Sequence, residues 1–295
     1  MTSLHLRAFA KINLNLKVLG VRPDGYHEIV SVAQTVTLHD SLDLSLEGEG
    51  LRLEVDDPAI PPGPENLVWR AVERLGPPLT PGRGLRIRLT KRIPSGAGLG
   101  GGSSDAAAAL VGVNRLFEMQ LGEESLHAHA AALGSDVPFF LVGGTARLSG
   151  TGTDVRPLAD LPPAALLLVH PKGEPLSTRA IYAQLQEPLT LAPEPDSISR
   201  FGRIPADIQS WVRSGNDLEP HATRLCPAVA RIRAALTAAG AEVAAMSGSG
   251  SAVFGLFAGA DRAAMAAASM ERAGFQAFPC STLDRAAFLR DRMVR

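Results

Sequence analysis

The chain has 295 residues, 45% hydrophobic and 20% charged, with 29 basic and 30 acidic side chains for a formal net charge of −1. This balance is that of a folded globular protein rather than a disordered one, and it argues against nucleic acid as the main partner, since proteins that live on phosphate backbones are basic. Two cysteines, Cys226 and Cys280, are too few for a disulfide framework, and no apolar run reaches the length of a membrane span; both point to a cytoplasmic protein without a membrane partner.

Residues 4–18 alternate, with Leu4, Leu6, Ala8, Ala10, Ile12, Leu14, Leu16 and Val18 facing one way and polar or mixed residues the other. Period two predicts a strand with one apolar face. Segments 30–38, 42–46, 51–55 and 85–89 also read as strands, each half-buried in a sheet covered on one side. Helices are predicted over 67–75 with Asn66 as N-cap, over 105–117, and over 123–133 with Gly134 as the stop. The stretch 186–199, rich in Pro, Glu and Ser, reads as a surface loop.

After a Pro- and Asp-rich segment the rhythm changes. A strand at 165–169 and a short helix at 178–185 are followed by a helix at 227–239, and strands at 242–246 and 251–257 join through Ser247-Gly248-Ser249-Gly250. A helix at 261–273 and a strand at 275–280 close the series. Strand, helix, hairpin, helix, strand is the order of a ferredoxin-like α+β unit. The composition shift places a domain boundary between 157 and 158, giving domains 1–157 and 158–295.

The strongest local signal is Pro94-Ser95-Gly96-Ala97-Gly98-Leu99-Gly100-Gly101-Gly102-Ser103-Ser104-Asp105, running into four alanines. Backbone without Cβ atoms lets successive N–H groups converge, and a helix start adds unpaired N–H groups and a positive dipole end. The product is a phosphate cradle. Gly96-x-Gly98-x-x-Gly101 formally fits the dinucleotide fingerprint of an oxidoreductase, but the preceding strand carries Arg86 and Arg88 where that fold needs a buried parallel strand. No Gly-Lys-Ser/Thr occurs, which excludes a Walker A loop.

This loop resembles the second motif of the GHMP kinases, the superfamily of galactokinase, homoserine kinase and mevalonate kinase. Ala10-Lys11-Ile12-Asn13-Leu14 resembles its first motif, Gly134-Ser135-Asp136-Val137-Pro138 its catalytic aspartate segment, and the 246–254 stretch its third, glycine-rich motif. All stand in the family order. The resemblance implies a two-domain α+β fold, with an N-terminal ribosomal S5-like domain and a C-terminal ferredoxin-like domain, and an ATP-dependent small-molecule kinase using Mg²⁺. Arg22-Pro23-Asp24-Gly25-Tyr26-His27 resembles one branch, as do Asn66-Leu67-Val68, Lys91-Arg92-Ile93-Pro94 and Asn216-Asp217-Leu218-Glu219. That branch implies phosphorylation of a cytidine diphosphate-linked methylerythritol at its 2-hydroxyl, in non-mevalonate isoprenoid synthesis.

Phosphoryl transfer needs positioning and charge stabilisation, helped by a carboxylate that accepts the attacking hydroxyl's proton. Asp136 is the candidate base, Lys11 its charge partner, and Asn13, two residues along the same strand face, a support for the hydroxyl or for Asp136. Backbone N–H groups from Gly98 through Leu99, Gly100, Gly101, Gly102, Ser103 and Ser104 are expected to hold the ATP phosphates, with a serine hydroxyl near Mg²⁺. The resemblance implies that Asn66, Lys91 and Arg92 contact the adenosine end, Pro94 and Gly96 are assigned with the loop to nucleotide binding, and no protein metal ligand stands out. Tyr26 suits stacking on the cytosine and His27 its polar edge, and the resemblance implies Tyr182 as a second ring across the base. Gly248, Ser249 and Gly250 are expected to shape the substrate diphosphate site. Solvated-strand, helix-packing and hairpin-turn readings stand against Lys11, Tyr182 and the 247–251 loop respectively. A homoserine- or mevalonate-type kinase is the alternative within the family, and the Tyr26-His27 pair opposes it.

Overall fold

The computed structural model describes residues 2–173, 176–185 and 207–294; the expected loop at 186–199 lies outside the described residues. Two very long strands organise the first half. β1 (Ser3–Val21) and β2 (His27–Leu46) form an antiparallel hairpin, so the segments expected as two strands at 30–38 and 42–46 are one. Irregularities in the pairing between Phe9 and Lys11, Asn13 and Asn15, and Val18 and Gly20 let strands of this length twist and bend without breaking.

Beyond the hairpin lie β3 (Leu51–Val55), helix α1 (Leu67–Leu75), β4 (Leu85–Thr90), α2 (Gly101–Leu116), α3 (Glu123–Leu133), the one-turn α4 (Phe139–Val142), β5 (Thr145–Gly150) and β6 (Asp154–Pro157). β2 pairs antiparallel with β4 through Ser41–Leu46 and with β5 through Ile29–Gln34, and β3 runs parallel to β4. α1 begins as its sequence predicts, because the Asn66 side chain accepts the Val68 N–H at 2.9 Å. Its Val68, Ala71, Val72 and Leu75 are buried in the core shared with α2 and α3, and burying such a valine or leucine contributes roughly 1.5–3 kcal/mol. α2 starts four residues before the predicted 105, inside the glycine run itself.

The second half carries β7 (Ala165–His170), α5 (Thr178–Tyr182), α6 (Ile208–Arg213), α7 (Glu219–Leu225), α8 (Ala228–Ala238), β8 (Val243–Met246), β9 (Val253–Phe257), α9 (Ala260–Arg272) and β10 (Gln276–Ser281). The four strands form a separate antiparallel sheet in the order β10-β7-β9-β8, the ferredoxin-like arrangement anticipated from the sequence. After it, α10 (Arg285–Asp291) and the short β11 (Met293–Val294) return to the first sheet, where β11 pairs with β1.

β1 does not behave as a half-buried strand. Its apolar side crosses three core clusters in turn: Leu6 and Ala8 under the helices, Ala10 to Leu14 against the second sheet, and Leu16 and Val18 beside α7 and α8. Its other side is buried as well, with Lys11, Asn13 and Asn15 each 3% exposed or less. Alternation misses this because part of the second cover comes from residues distant in sequence, such as Ser214 and Ser247.

Candidate active site

Three of the sequence motifs meet at the middle of β1. The Lys11 N–H donates to the Leu99 carbonyl at 3.0 Å, and the Ala252 N–H to the Ala97 carbonyl at 3.0 Å. The Ser247 hydroxyl accepts the Asn13 N–H at 3.2 Å and donates to the Gly98 carbonyl at 3.0 Å. Gly98 has φ +78°, and a Cβ there would fall 2.2 Å from the Ser247 carbonyl oxygen, so only glycine lets the two loops touch. The glycine loop is thereby held against both β1 and the turn joining β8 to β9.

Lys11 is buried and its ammonium donates to the Asn13 side-chain oxygen at 2.5 Å. The Asp136 carboxylate lies 3.5 Å from the same ammonium and remains 38% exposed. Its segment links α3 to α4 through a tight turn, in which Val137 donates to Gly134, while the Val137 side chain is fully buried. The carboxylate is therefore held rigidly at an open surface, with a fixed cation behind it. Asn13 completes the group by donating to Ser31 at 2.7 Å.

The glycine loop feeds into α2, whose N-cap Gly100 has no side-chain cap. The first N–H groups, of Gly101, Gly102 and Ser103, have no intrahelical partner and face a positive dipole end. Behind them, Lys91 donates to both Asp40 and Asp105, the latter at 2.6 Å. Asp40 also accepts the Arg92 and Ile93 N–H groups, so β2, the end of β4 and the first turn of α2 are tied together. Burial works against the Lys91 ammonium, but the Asp105 and Asp40 charges outweigh it and raise its pKa. Asp105 is fully buried, with one oxygen that has no hydrogen-bond partner. Burial above all, with the Asp40 charge adding, pushes its pKa up to about 8 against the pull of Lys91.

The turn between β1 and β2 is built by its own side chains. Asp24 accepts the Tyr26 N–H at 3.1 Å, and Arg22 pairs with Asp24 and Glu28. Tyr26 stands out from it, 63% exposed. The His27 ring rests on Tyr182, with centroids 4.8 Å apart and planes tilted by 38°. Burial lowers the His27 pKa, which favours the neutral imidazole with one donor and one acceptor nitrogen. Burial, and then the charge of Asp136, raises the Tyr182 phenol to about 12, so it stays protonated. Thr178 and Ser249 hydroxyls bond at 2.8 Å and join α5 to the β8–β9 turn.

Residues from each of these segments line one cavity of about 1090 Å³, the size of a large ligand site. Its wall includes the anticipated Lys11, Asn13, Asp136, Tyr26, His27 and Tyr182, most of the glycine loop from Pro94 to Ser103, and Gly248 and Ser249. Four anticipated residues fall elsewhere; one is Arg92, whose N–H is bound to Asp40 behind the wall, and the other three each have a visible reason. Ser104 is buried, its hydroxyl donating to the Phe9 carbonyl at 2.7 Å and its N–H to Gly100, so neither is free for a phosphate or a metal. Leu99 points into the core between the sheets. Gly250 donates its N–H to the Ser247 carbonyl within the turn. Asn66 and Lys91 line the cavity, but the Asn66 amide is used at home, accepting from Val68 and donating to the Pro61 carbonyl. Asp105 and Arg179 reach the wall without having been anticipated, as does an apolar slot of Ile60, Pro61, Leu67, Leu89 and Ile93 beside the glycine loop. Single apolar residues from separate segments carry no pattern that a sequence reading could collect.

Family models for the N-terminal and C-terminal domains of the GHMP kinases match residues 66–144 and 204–276. The chain is 44% identical, over 92% of its length and 96% of the relative, to a 4-diphosphocytidyl-2-C-methyl-D-erythritol kinase of Moorella thermoacetica. It is 42% identical to the kinase of the same name from Geobacter metallireducens, again over 92% of the chain and 95% of the relative. Among solved structures, a 4-(cytidine 5'-diphospho)-2C-methyl-D-erythritol kinase superposes with a TM-score of 0.75 at 37% identity, covering 94% of this chain and 98% of that one. A homoserine kinase from Cytophaga hutchinsonii, with a TM-score of 0.65 at 21% identity over 96% of this chain and 95% of its own, shares the fold.

Proposed function

The chain belongs to the GHMP kinase family, and from that premise we propose that it transfers the γ-phosphoryl group of ATP to the 2-hydroxyl of 4-diphosphocytidyl-2-C-methyl-D-erythritol. One observation carries the reading: a Lys11–Asp136 couple and the free N–H groups of a glycine-rich helix start open into the same cavity, with a tyrosine and a histidine at its other side.

The adenine lies in the apolar slot beside Lys91, Pro94 and Gly96, and the triphosphate runs onto the N–H groups of Gly101 to Ser103. The cytosine sits with Tyr26 on one side and the His27–Tyr182 pair on the other, and Gly248 and Ser249 border its diphosphate. This places the substrate hydroxyl at Asp136, which accepts its proton as the oxygen attacks phosphorus. Lys11 offsets charge at the reacting centre, and Asn13 fixes the Lys11 ammonium. The family implies Mg²⁺. Such an ion would be held by the nucleotide phosphates, with the Ser103 hydroxyl on the cavity wall as protein partner. The division of labour follows the boundary at 157/158: residues 1–157 carry the nucleotide cradle and the catalytic couple, and 158–295 supply Tyr182 and the Gly248–Ser249 turn. Among the described residues no helix is long and apolar enough to cross a membrane.

The test is ADP release with 4-diphosphocytidyl-2-C-methyl-D-erythritol, homoserine and mevalonate offered separately. Turnover confined to the first supports the reading; turnover on either of the others with none on the first overturns it.

A further inference from the structure

Among the described residues the cavity wall carries three cations, and two of them are already committed. Lys11 is held by Asn13 and Asp136, and Lys91 lies between Asp40 and Asp105. The third, Arg179, is exposed on α5 and has no ion-pair partner among the described residues. Three ionised carboxylates, Asp24, Glu65 and Asp136, also line the cavity among the described residues, so these residues give the wall no general surplus of positive charge with which to receive anions. A nucleoside diphosphate brought here needs a specific cation.

Arg179 stands at the right place for it. It is one helical turn before Tyr182, on the same side of α5, and Tyr182 rests on His27. The neighbouring Thr178 is hydrogen-bonded to Ser249, which fixes this end of α5 against the β8–β9 turn. A ligand whose base meets Tyr26, His27 and Tyr182, and whose polyol reaches Asp136, passes its phosphates along this stretch. A guanidinium is always charged and presents a planar fork of donors that matches phosphate oxygens in pairs.

We infer that Arg179 is a specificity-determining residue for the substrate, binding the diphosphate that joins cytidine to the polyol. The inference rests on the cytidine-substrate reading above and adds to it the group that reads the phosphates. It makes the phosphate contribution to substrate affinity depend on one side chain, while the nucleotide triphosphate is held on the far side of the cavity by backbone N–H groups.

Calorimetric titration of cytidine, CDP and a non-hydrolysable ATP analogue into the wild-type protein, Arg179→Ala and Arg179→Lys separates the possibilities. Arg179→Ala is expected to weaken CDP about ten-fold or more, the scale of a charge-assisted pair, and to leave cytidine and the ATP analogue unchanged. Arg179→Lys keeps the charge without the fork and recovers part of the loss. Equal weakening of cytidine and CDP, or a loss that appears on the ATP analogue instead, overturns the Arg179 assignment and leaves the cytidine reading standing. Wild-type protein that binds neither cytidine nor CDP overturns both.

Discussion

The Lys11 ammonium stands 3.5 Å from the Asp136 carboxylate, with the lysine side chain 4% exposed and the aspartate 38%. The asymmetry sorts their roles. A buried cation pinned by Asn13 cannot travel to a ligand, whereas the open carboxylate is the group that a hydroxyl can reach. Both belong to the first half of the chain but to segments 125 positions apart in sequence, and the glycine loop is packed on β1 beside them.

Replacing Asp136 by Asn keeps its shape and removes its basicity. A positioned general base contributes typically about 10²–10⁴-fold, so kcat is expected to fall by that order in steady-state ADP release. The ATP analogue is expected to bind Asp136→Asn as tightly as wild type in calorimetry, because the N–H groups of Gly101 to Ser103 are untouched. A variant with wild-type kcat removes Asp136 from proton transfer.

Tyr26, at 63%, is the most exposed of the described aromatic rings that line the cavity. Base–aromatic stacking is worth about 1–3 kcal/mol by alanine substitution. Tyr26→Ala is therefore expected to raise KM for the cytidine substrate by about ten-fold or more, to leave KM for ATP within about two-fold, and to leave Tm unchanged. A matched rise in both KM values would mean that the turn at 22–26 shapes the whole cavity rather than one ligand's base.

The motifs and the elements were legible in the sequence to different depths. α1 and α3 have the bounds their patterns predict, because N-cap and stop residues act within a single turn. The start of α2 was not legible, since a run of glycines argues against helix unless the loop before it is already anchored, as here by Ser247. The cavity-wall residues were legible where a motif marks a backbone conformation, as at Gly96, Gly98 and Gly100 to Ser103. They were illegible where one side chain is turned by a distant partner. Ser103 and Ser104 are neighbours of identical chemistry, yet only Ser104 finds the Phe9 carbonyl and leaves the cavity. Asp105 is an ordinary helix-start aspartate in sequence, and only the meeting with Lys91 and Asp40 makes it a buried acid.

That acid links stability to pH. Asp105 has a folded pKa raised from 3.8 to about 8, so between these values the folded state keeps a proton that the unfolded state releases. Its contribution is fully present below pH 3.8, declines as pH rises, and is lost above about 8. The slope is at most about 1.4 kcal/mol per pH unit. Asp105→Asn cannot titrate, so its Tm is expected to fall less than that of wild type between pH 5 and pH 9, measured by scanning calorimetry in matched ionic strength. Parallel Tm curves for the two proteins would show that Asp105 is ionised in the folded state throughout.

The brace between the glycine loop and the second sheet can be tested with two alanines. Gly96 and Gly98 both have positive φ, +65° and +78°, so each alanine bears a backbone strain of about 1–2 kcal/mol. They differ in what the new Cβ meets. At Gly96 nothing lies within 4 Å, while at Gly98 the Ser247 carbonyl lies at 2.2 Å and the Gly250 nitrogen at 2.9 Å, both backbone atoms that cannot rotate away. The clash separates the loop from the β8–β9 turn and breaks the bond from the Ser247 hydroxyl to the Gly98 carbonyl. Gly98→Ala is accordingly expected to lower Tm by several degrees more than Gly96→Ala and to reduce kcat/KM for ATP and for the cytidine substrate together, because the loop and the turn border both ligands. Equal Tm losses in the two variants would mean that local strain alone matters at Gly98, and that the loop is held in place by β1 without the second sheet.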